Sequence, residues 1–252
     1  MKRNAQYSPP NKTPAPPQRT QAKPEIQAII FDLDGTLIDT EPTAVLAVKE
    51  CFAEWKIEIH LDDASYLTGR TWENAFTFLF DKYTPPIPLP EAKKTLLARY
   101  RQKIKANLST VPGSVQAIQS LAKKYPLALV SGSGRSEILW ALTQLQIIHH
   151  FQFILGAEDY PRSKPQPDGY LKAMKILGKS PESCLVFEDS TAGIASARAA
   201  GTWVVAVTST NHFKQDLALA HVKIKDLTPV NINWISELAL LSDSADRLKK
   251  SV

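Results

Sequence analysis

Two carboxylates one residue apart, Asp32 and Asp34, follow the apolar run Ala28 to Phe31 and precede Gly35 and Thr36. Alternate residues of an extended chain point the same way, so the two acids repel each other unless something cationic sits between them. A hard divalent cation such as Mg2+ fits, because it takes carboxylate oxygens and keeps several waters. Asp and Gly are also ordinary turn residues, and a plain turn is the competing reading.

Three further stretches offer chemistry. Ser131-Gly132-Ser133-Gly134 lies just before a helical pattern. Backbone N–H groups at a helix start, with a hydroxyl, make an anion site, and Gly132 and Gly134 let the backbone approach a ligand. The stretch is neither a Walker loop nor a dinucleotide fingerprint, since the further residues those motifs need are missing. Lys164 lies in Arg162-Ser-Lys164-Pro165-Gln-Pro167-Asp168. Two prolines stiffen that loop and can hold an ammonium in one place; a surface lysine is the alternative. Glu188 and Asp189 follow the apolar run Cys184 to Phe187. They can cap the next helix or complete a Mg2+ site begun by Asp32.

These residues need elements to carry them. Ala28 to Phe31 reads as a buried strand of a parallel sheet covered on both faces. Leu127 to Val130, Phe151 to Leu155, Cys184 to Phe187 and Trp203 to Val207 read as further strands. They alternate with helical patterns over Ser114 to Lys124, Ser136 to Gln146, Tyr170 to Leu177 and Thr191 to Ala200. Such alternation implies a parallel α/β sheet, and ligands bind such sheets where strands deliver their carboxyl ends. Residues 39–110 carry no strand pattern. Asp39 or Thr40 can cap a helix with Pro42 in its first turn, and Val45, Val48, Phe52 and Trp55 share one face. Trp72 to Tyr83 and Glu91 to Leu108 follow as helices, the latter striped by Leu97, Tyr100, Ile104 and Leu108. The segment reads as an all-helical insertion between the first two strands.

Asp32-Leu-Asp34-Gly-Thr-Leu37, Ser131, Lys164-Pro-Gln-Pro-Asp168 and Glu188-Asp-Ser-Thr-Ala-Gly193, in that order, resemble the four motifs of the haloacid-dehalogenase-like (HAD) phosphohydrolases. The resemblance covers roughly residues 26–225. It is nearest to the β-phosphoglucomutase-like and phosphoglycolate-phosphatase-like members. It implies an α/β fold: a Rossmann-like parallel-sheet core, 26–38 plus 111–240, with an inserted four-helix cap, 39–110. By motif, Asp32 would be the nucleophile that becomes an aspartyl phosphate. Asp34 would begin protonated, protonate the leaving oxygen and then activate water. Asp32, the Asp34 carbonyl and Asp189 would ligate Mg2+, with Glu188 in or near that set. Ser131, Gly132 and Lys164 would bind the phosphoryl group, and Arg70, in Thr68-Gly69-Arg70, would contact substrate from the cap or be a plain surface arginine.

Mutase-type members place a His five residues after the position of Asp39, where this chain has Ala44. That favours transfer to water. The expected activity is Mg2+-dependent hydrolysis of a small phosphorylated metabolite. A sugar phosphomutase and a non-catalytic binding protein on the same fold are the alternatives.

Composition bounds the rest. The chain has 252 residues and a net charge of +5. Residues 1–25 hold five Lys or Arg against Glu25, and six prolines, which reads as a disordered tail. The remainder is near neutral, so no nucleic-acid partner is expected. No apolar run reaches the roughly 18 residues of a membrane span, and the N-terminus lacks a secretory h-region. Cys51 and Cys184 have no metal-ligand spacing and read as reduced thiols. The expectation is a cytoplasmic monomer with a second tail at 241–252.

Overall fold

Six parallel strands run side by side in the order β3-β2-β1-β4-β5-β6. They are β1 (Ala28–Phe31), β2 (Leu127–Val130), β3 (Phe151–Leu155), β4 (Cys184–Glu188), β5 (Trp203–Val207) and β6 (Val222–Ile224). The computed structural model describes residues 25–64, 66, 72–212 and 214–238. The tail expected at 1–25, apart from Glu25, the tail expected at 241–252, and Thr68-Gly69-Arg70 lie outside the described residues.

The apolar runs are continuous because both faces of the sheet are covered. Ile29, Phe31, Leu127, Leu129, Leu185 and Phe187 enter one core cluster. Ala28, Ile30, Ala128, Val130, Cys184 and Val186 enter the other. The period-two alternation thus splits each strand between two cores. Phe31 stacks on Phe187 with ring centroids 4.8 Å apart, and burial of each ring stabilises the fold by about 2 kcal/mol. These rings sit immediately before Asp32 and Glu188, so packing fixes where both carboxylates emerge.

Helices α5 (Ser114–Leu121), α6 (Arg135–Gln144), α7 (Asp168–Leu177) and α8 (Thr191–Ala199) alternate with the strands. The expected elements are present with ends shifted by a few residues, as frayed termini usually are. β6 is an addition. It is a three-residue edge strand with Lys223 at its centre, so it carries almost no apolar signal.

Between β1 and β2 the chain is helical: α1 (Glu41–Glu54), α2 (Leu61–Ala64), α3 (Trp72–Lys82) and α4 (Leu89–Ala106). These helices have their own core of Val45, Val48, Phe52, Phe76, Leu79 and Leu96. The chain leaves and returns through a paired neck. Ile38 bridges Thr110 in antiparallel fashion, and the Asp39 N–H donates to the Ser109 carbonyl at 2.9 Å. Cys51 and Cys184 are buried free thiols. No described helix is long and apolar enough to cross a membrane.

Candidate active site

β1 changes neighbours from β2 to β4, so its carboxyl end is the point where strand order reverses and a crevice opens. Phe31 pairs with Phe187 across the ladder, which sets Asp32 beside Glu188. Lys164 comes in from the loop before α7. Its Nζ donates to Asp32 Oδ1 at 2.5 Å and to Glu188 Oε1 at 2.6 Å. All three are buried, with 8 % of Lys164, 5 % of Asp32 and none of Glu188 exposed. Charges so placed are tolerated only when paired and hydrogen-bonded.

Glu188 is the best satisfied of them. The Tyr170 hydroxyl donates to Oε1 at 2.9 Å. Oε2 accepts from the N–H groups of Asp189 and Ser190, at 3.0 and 3.1 Å, and from the Ser190 hydroxyl. Burial pushes the Glu188 carboxyl up, but Lys164 and these donors outweigh it and hold it below its ordinary value. A Cβ on Gly193 would fall 1.7 Å from Glu188 Oε1, so only glycine lets α8 start this close. For Lys164, burial favours the neutral amine, yet Asp32 and Glu188 prevail and keep it charged. Asp32 is pushed up to about 8 by burial, against the pull of Lys164 and with Glu188 and Asp34 adding to the rise.

Asp189 differs from Glu188. Thr36 donates to its Oδ1 at 3.2 Å, while its buried Oδ2 has no hydrogen-bond partner. Burial, then the negative charges of Glu41, Glu188 and Asp32, hold its carboxyl well above the usual range. Gly35, at φ +82°, brings the backbone so close that a Cβ would meet Asp189 Oδ2 at 2.0 Å. Asp32, Glu188 and Asp189 each offer an oxygen within 4.8 Å of the others. An orphaned buried oxygen in an all-oxygen, anionic donor set fits a hard divalent cation such as Mg2+.

Asp34 is held by hydroxyls. Thr40 Oγ1 donates to Oδ1 at 2.7 Å, and Ser133 Oγ donates to Oδ2 at 2.6 Å. Ser131 Oγ adds a longer bond to Oδ2 at 3.4 Å. Thr40 occupies the N-cap position of α1, yet its side chain makes no cap bond; Asp34 takes that hydroxyl instead. Tyr100 of α4 lines a cavity together with Asp34 and Thr40; burial, then the charge of Asp34, hold its phenol above the ordinary value. Ser131 is buried in the turn after β2. Its carbonyl accepts from the Tyr160 hydroxyl at 2.8 Å and its Oγ from the Ser133 N–H at 3.0 Å. Gly132 sits half-buried in the same turn.

Asp32, Asp34, Ser131, Gly132, Lys164, Glu188 and Asp189 therefore meet at one edge of the sheet. Arg70 lies outside the described residues. Ser133, Tyr100 and Tyr170 are additions that the motifs alone do not single out. Their only signal is a hydroxyl near a motif or on a helical stripe.

Comparison with known proteins bears on this arrangement. A family profile described as haloacid dehalogenase-like hydrolase matches residues 29–207. The fructose-1-phosphate phosphatase YqaB of Escherichia coli is 32% identical over 180 residues, spanning 69% of this chain and 92% of that one. The bifunctional riboflavin kinase/FMN phosphatase of Arabidopsis thaliana is 30% identical over 72% of this chain, which spans only 48% of that protein. The crystal structure of β-phosphoglucomutase from Clostridium difficile shares the fold, with a TM-score of 0.73 at 21% identity, over 87% of this chain and 99% of that one.

Proposed function

The chain belongs to the haloacid dehalogenase-like hydrolases, and within that family we propose that it is a Mg2+-dependent phosphomonoesterase acting on a small phosphorylated metabolite. The observation that carries the reading is the division of labour between two carboxylates two residues apart. Asp32 is held by an ammonium, at 2.5 Å, and Asp34 by hydroxyls. Phosphatase names among the relatives support the same reaction class.

Asp32 attacks phosphorus: a bond forms between its carboxylate oxygen and phosphorus as the ester P–O bond breaks. Asp34 gives its proton to the departing alkoxide, and later takes one from the water that cleaves the aspartyl phosphate. The Thr40 and Ser133 hydroxyls fix the Asp34 carboxyl so that it faces the leaving oxygen. Lys164, pinned between Asp32 and Glu188, brings positive charge to the phosphoryl oxygens, and the Ser131–Gly132 turn supplies further donors. Asp32, Asp189 and the Asp34 carbonyl, with Glu188 beside them, would hold Mg2+, which when bound neutralises charge that would repel a carboxylate from a phosphate. Residues 39–110 act as the cap that selects the substrate.

Hydrolysis is favoured over mutase chemistry because the position where a mutase places His is Ala44, buried in the helical core. The test is phosphate release from sugar phosphates, phosphoglycolate and nucleotides, with and without Mg2+, beside Asp32→Asn. Glucose 6-phosphate formed from β-glucose 1-phosphate is followed in the same wells. Release should require Mg2+ and fall by about 10³-fold or more in the variant. Undiminished release by Asp32→Asn would remove the nucleophile from the reading, and isomer without free phosphate would make the chain a mutase.

A further inference from the structure

The turn from Ser131 to Gly134 leads into the start of α6, and this chain fills the outer half of that turn with a carboxylate of its own. Ser131 and Gly132 form the inner half, assigned above to the phosphoryl group. Ser133 comes next and donates to Asp34, the acid that meets the leaving oxygen, at 2.6 Å. Gly134 and Arg135 follow, at the first turn of α6. Asp34, Ser133 and Glu137 of α6 line one cavity, so this outer half borders the space beside Asp34 into which the alcohol departs. Backbone N–H groups at a helix start attract anions. Here Glu158, from the loop after β3, takes the place of such an anion: it accepts the Arg135 N–H at 2.9 Å with Oε1 and at 3.2 Å with Oε2. We infer that Glu158 is a specificity-determining residue that closes this helix start to a second anionic group, so that the substrate is a monophosphate whose alcohol part carries no further acid. The inference rests on the hydrolase reading above and narrows the substrate class of that same site.

Packing and charge carry the argument. The loop that bears Glu158 is fastened to the turn, since the Ala157 N–H donates to the Ser133 carbonyl at 3.0 Å. A Cβ on Gly156 would fall 2.7 Å from Glu158 Oε2 and 2.9 Å from the Arg135 nitrogen, so only glycine there lets the carboxylate reach the helix start. On Gly134 a Cβ would meet Glu137 Oε2 at 2.6 Å and lie 3.6 Å from Glu158 Oε1. Two carboxylates therefore crowd the backbone that a ligand anion would approach. The cations nearby are engaged elsewhere. Arg101 Nε donates to Glu137 at 3.0 Å, and the Arg135 guanidinium donates to Asp159 at 2.6 Å. Lys105 is solvent-exposed, one helical turn beyond Arg101 on α4. Among the described residues no cationic side chain pairs with Glu158, whose bonds go to the Arg135 N–H. A second anion would have to displace this carboxylate or sit beside it against like-charge repulsion. A hydroxyl meets no such repulsion, and both carboxylates can accept from it.

The test uses the full chain with Mg2+ and three phosphate compounds. Glycerol 1-phosphate and 3-phosphoglycerate share one carbon skeleton and both release a primary alcohol, so both need the same proton from Asp34. Only the second carries a carboxylate. Acetyl phosphate has no second anion and reports phosphoryl transfer by itself. We expect kcat/KM for glycerol 1-phosphate to exceed that for 3-phosphoglycerate by at least about tenfold. Glu158→Gln keeps an oxygen for the Arg135 N–H and removes the charge, while Glu158→Ala empties the helix start. Each should lower the ratio by at least about fivefold, the size of one like-charge contact near water, with the alanine variant moving it further. A merely structural role would change both esters alike and leave the ratio where it was. Glu158 is exposed and glutamine has its shape, so Glu158→Gln keeps the test valid if Glu158→Ala does not fold. Acetyl phosphate hydrolysis together with a ratio near one in the parent, or with a ratio unmoved in both variants, overturns this inference and leaves the hydrolase reading standing. No hydrolysis of any of the three overturns both.

Discussion

The sheet's carboxyl edge and the helical segment both join lysines to carboxylates, at opposite ends of the burial scale. Lys164 meets Asp32 at 2.5 Å and Glu188 at 2.6 Å with all three side chains nearly closed to solvent. On the helices, Lys93 meets Glu73 at 2.5 Å and Lys103 meets Glu50 at 2.7 Å, with one carboxylate 71 % and the other 39 % exposed. The distances match and the energies do not. An exposed pair contributes about 0–1 kcal/mol. A buried one costs so much desolvation that an apolar replacement often does as well. The helical pairs are consistent with surface solubility. The buried set gains little stability from its ions, which is consistent with the chemistry proposed at the sheet edge.

The sharpest way to break this contrast is Lys164→Met. The variant leaves Asp32 and Glu188 buried without their cation, and about 3–5 kcal/mol of stability should go. Urea unfolding reads that loss, and kcat/KM should fall by about 10²-fold or more in the same preparation. A variant as stable as the parent would mean the buried set is no different in kind from the helical pairs.

A milder probe separates Asp34 from Asp32. Ser133→Ala removes one donor from a carboxyl that keeps Thr40, so kcat should drop by about tenfold, the worth of one hydrogen bond. The midpoint of unfolding should move little. An unchanged kcat with the usual substrate would show that Thr40 alone positions Asp34.

The smallest expected effect lies in the helical segment. Asp63 accepts from Lys82 and from the Tyr83 hydroxyl, both at 2.6 Å, and these bonds hold its carboxyl below the ordinary value of 3.8. A depressed acid binds fewer protons folded than unfolded. Its contribution is therefore whole above that ordinary value and is lost as pH falls below it. Melting temperatures of the parent and Asp63→Asn should be closest below pH 3.8 and diverge slightly above it. A constant gap across that range would remove the titration from the account.

What could be read from the sequence followed the same division. Asp32, Asp34, Lys164, Glu188 and Asp189 each sit at or near a strand's end within a recognisable string, so spacing along the chain located them. Ser133 and Thr40 are 93 positions apart and meet only because the turn after β2 folds over the start of α1. Helix-capping logic places Thr40 at the start of α1 but gives it the wrong partner, since its hydroxyl donates to the nearby Asp34 carboxyl and makes no cap bond. Tyr100 reads as one member of an apolar stripe; nothing in periodicity says that it shares a cavity with Asp34. β6 is not legible in the sequence because three residues at a sheet edge need no apolar pattern to pair.

The neck where Ile38 meets Thr110 has a consequence for how such chains diversify. Because the two crossing strands are already hydrogen-bonded to each other, the ends of everything between them lie side by side. Loop-closure entropy grows only with the logarithm of length, so inserting, lengthening or exchanging that stretch changes the cost of joining those ends very little. The neck is a splice point: a graft made there would inherit the Asp32–Lys164 machinery intact and bring a different set of walls to it.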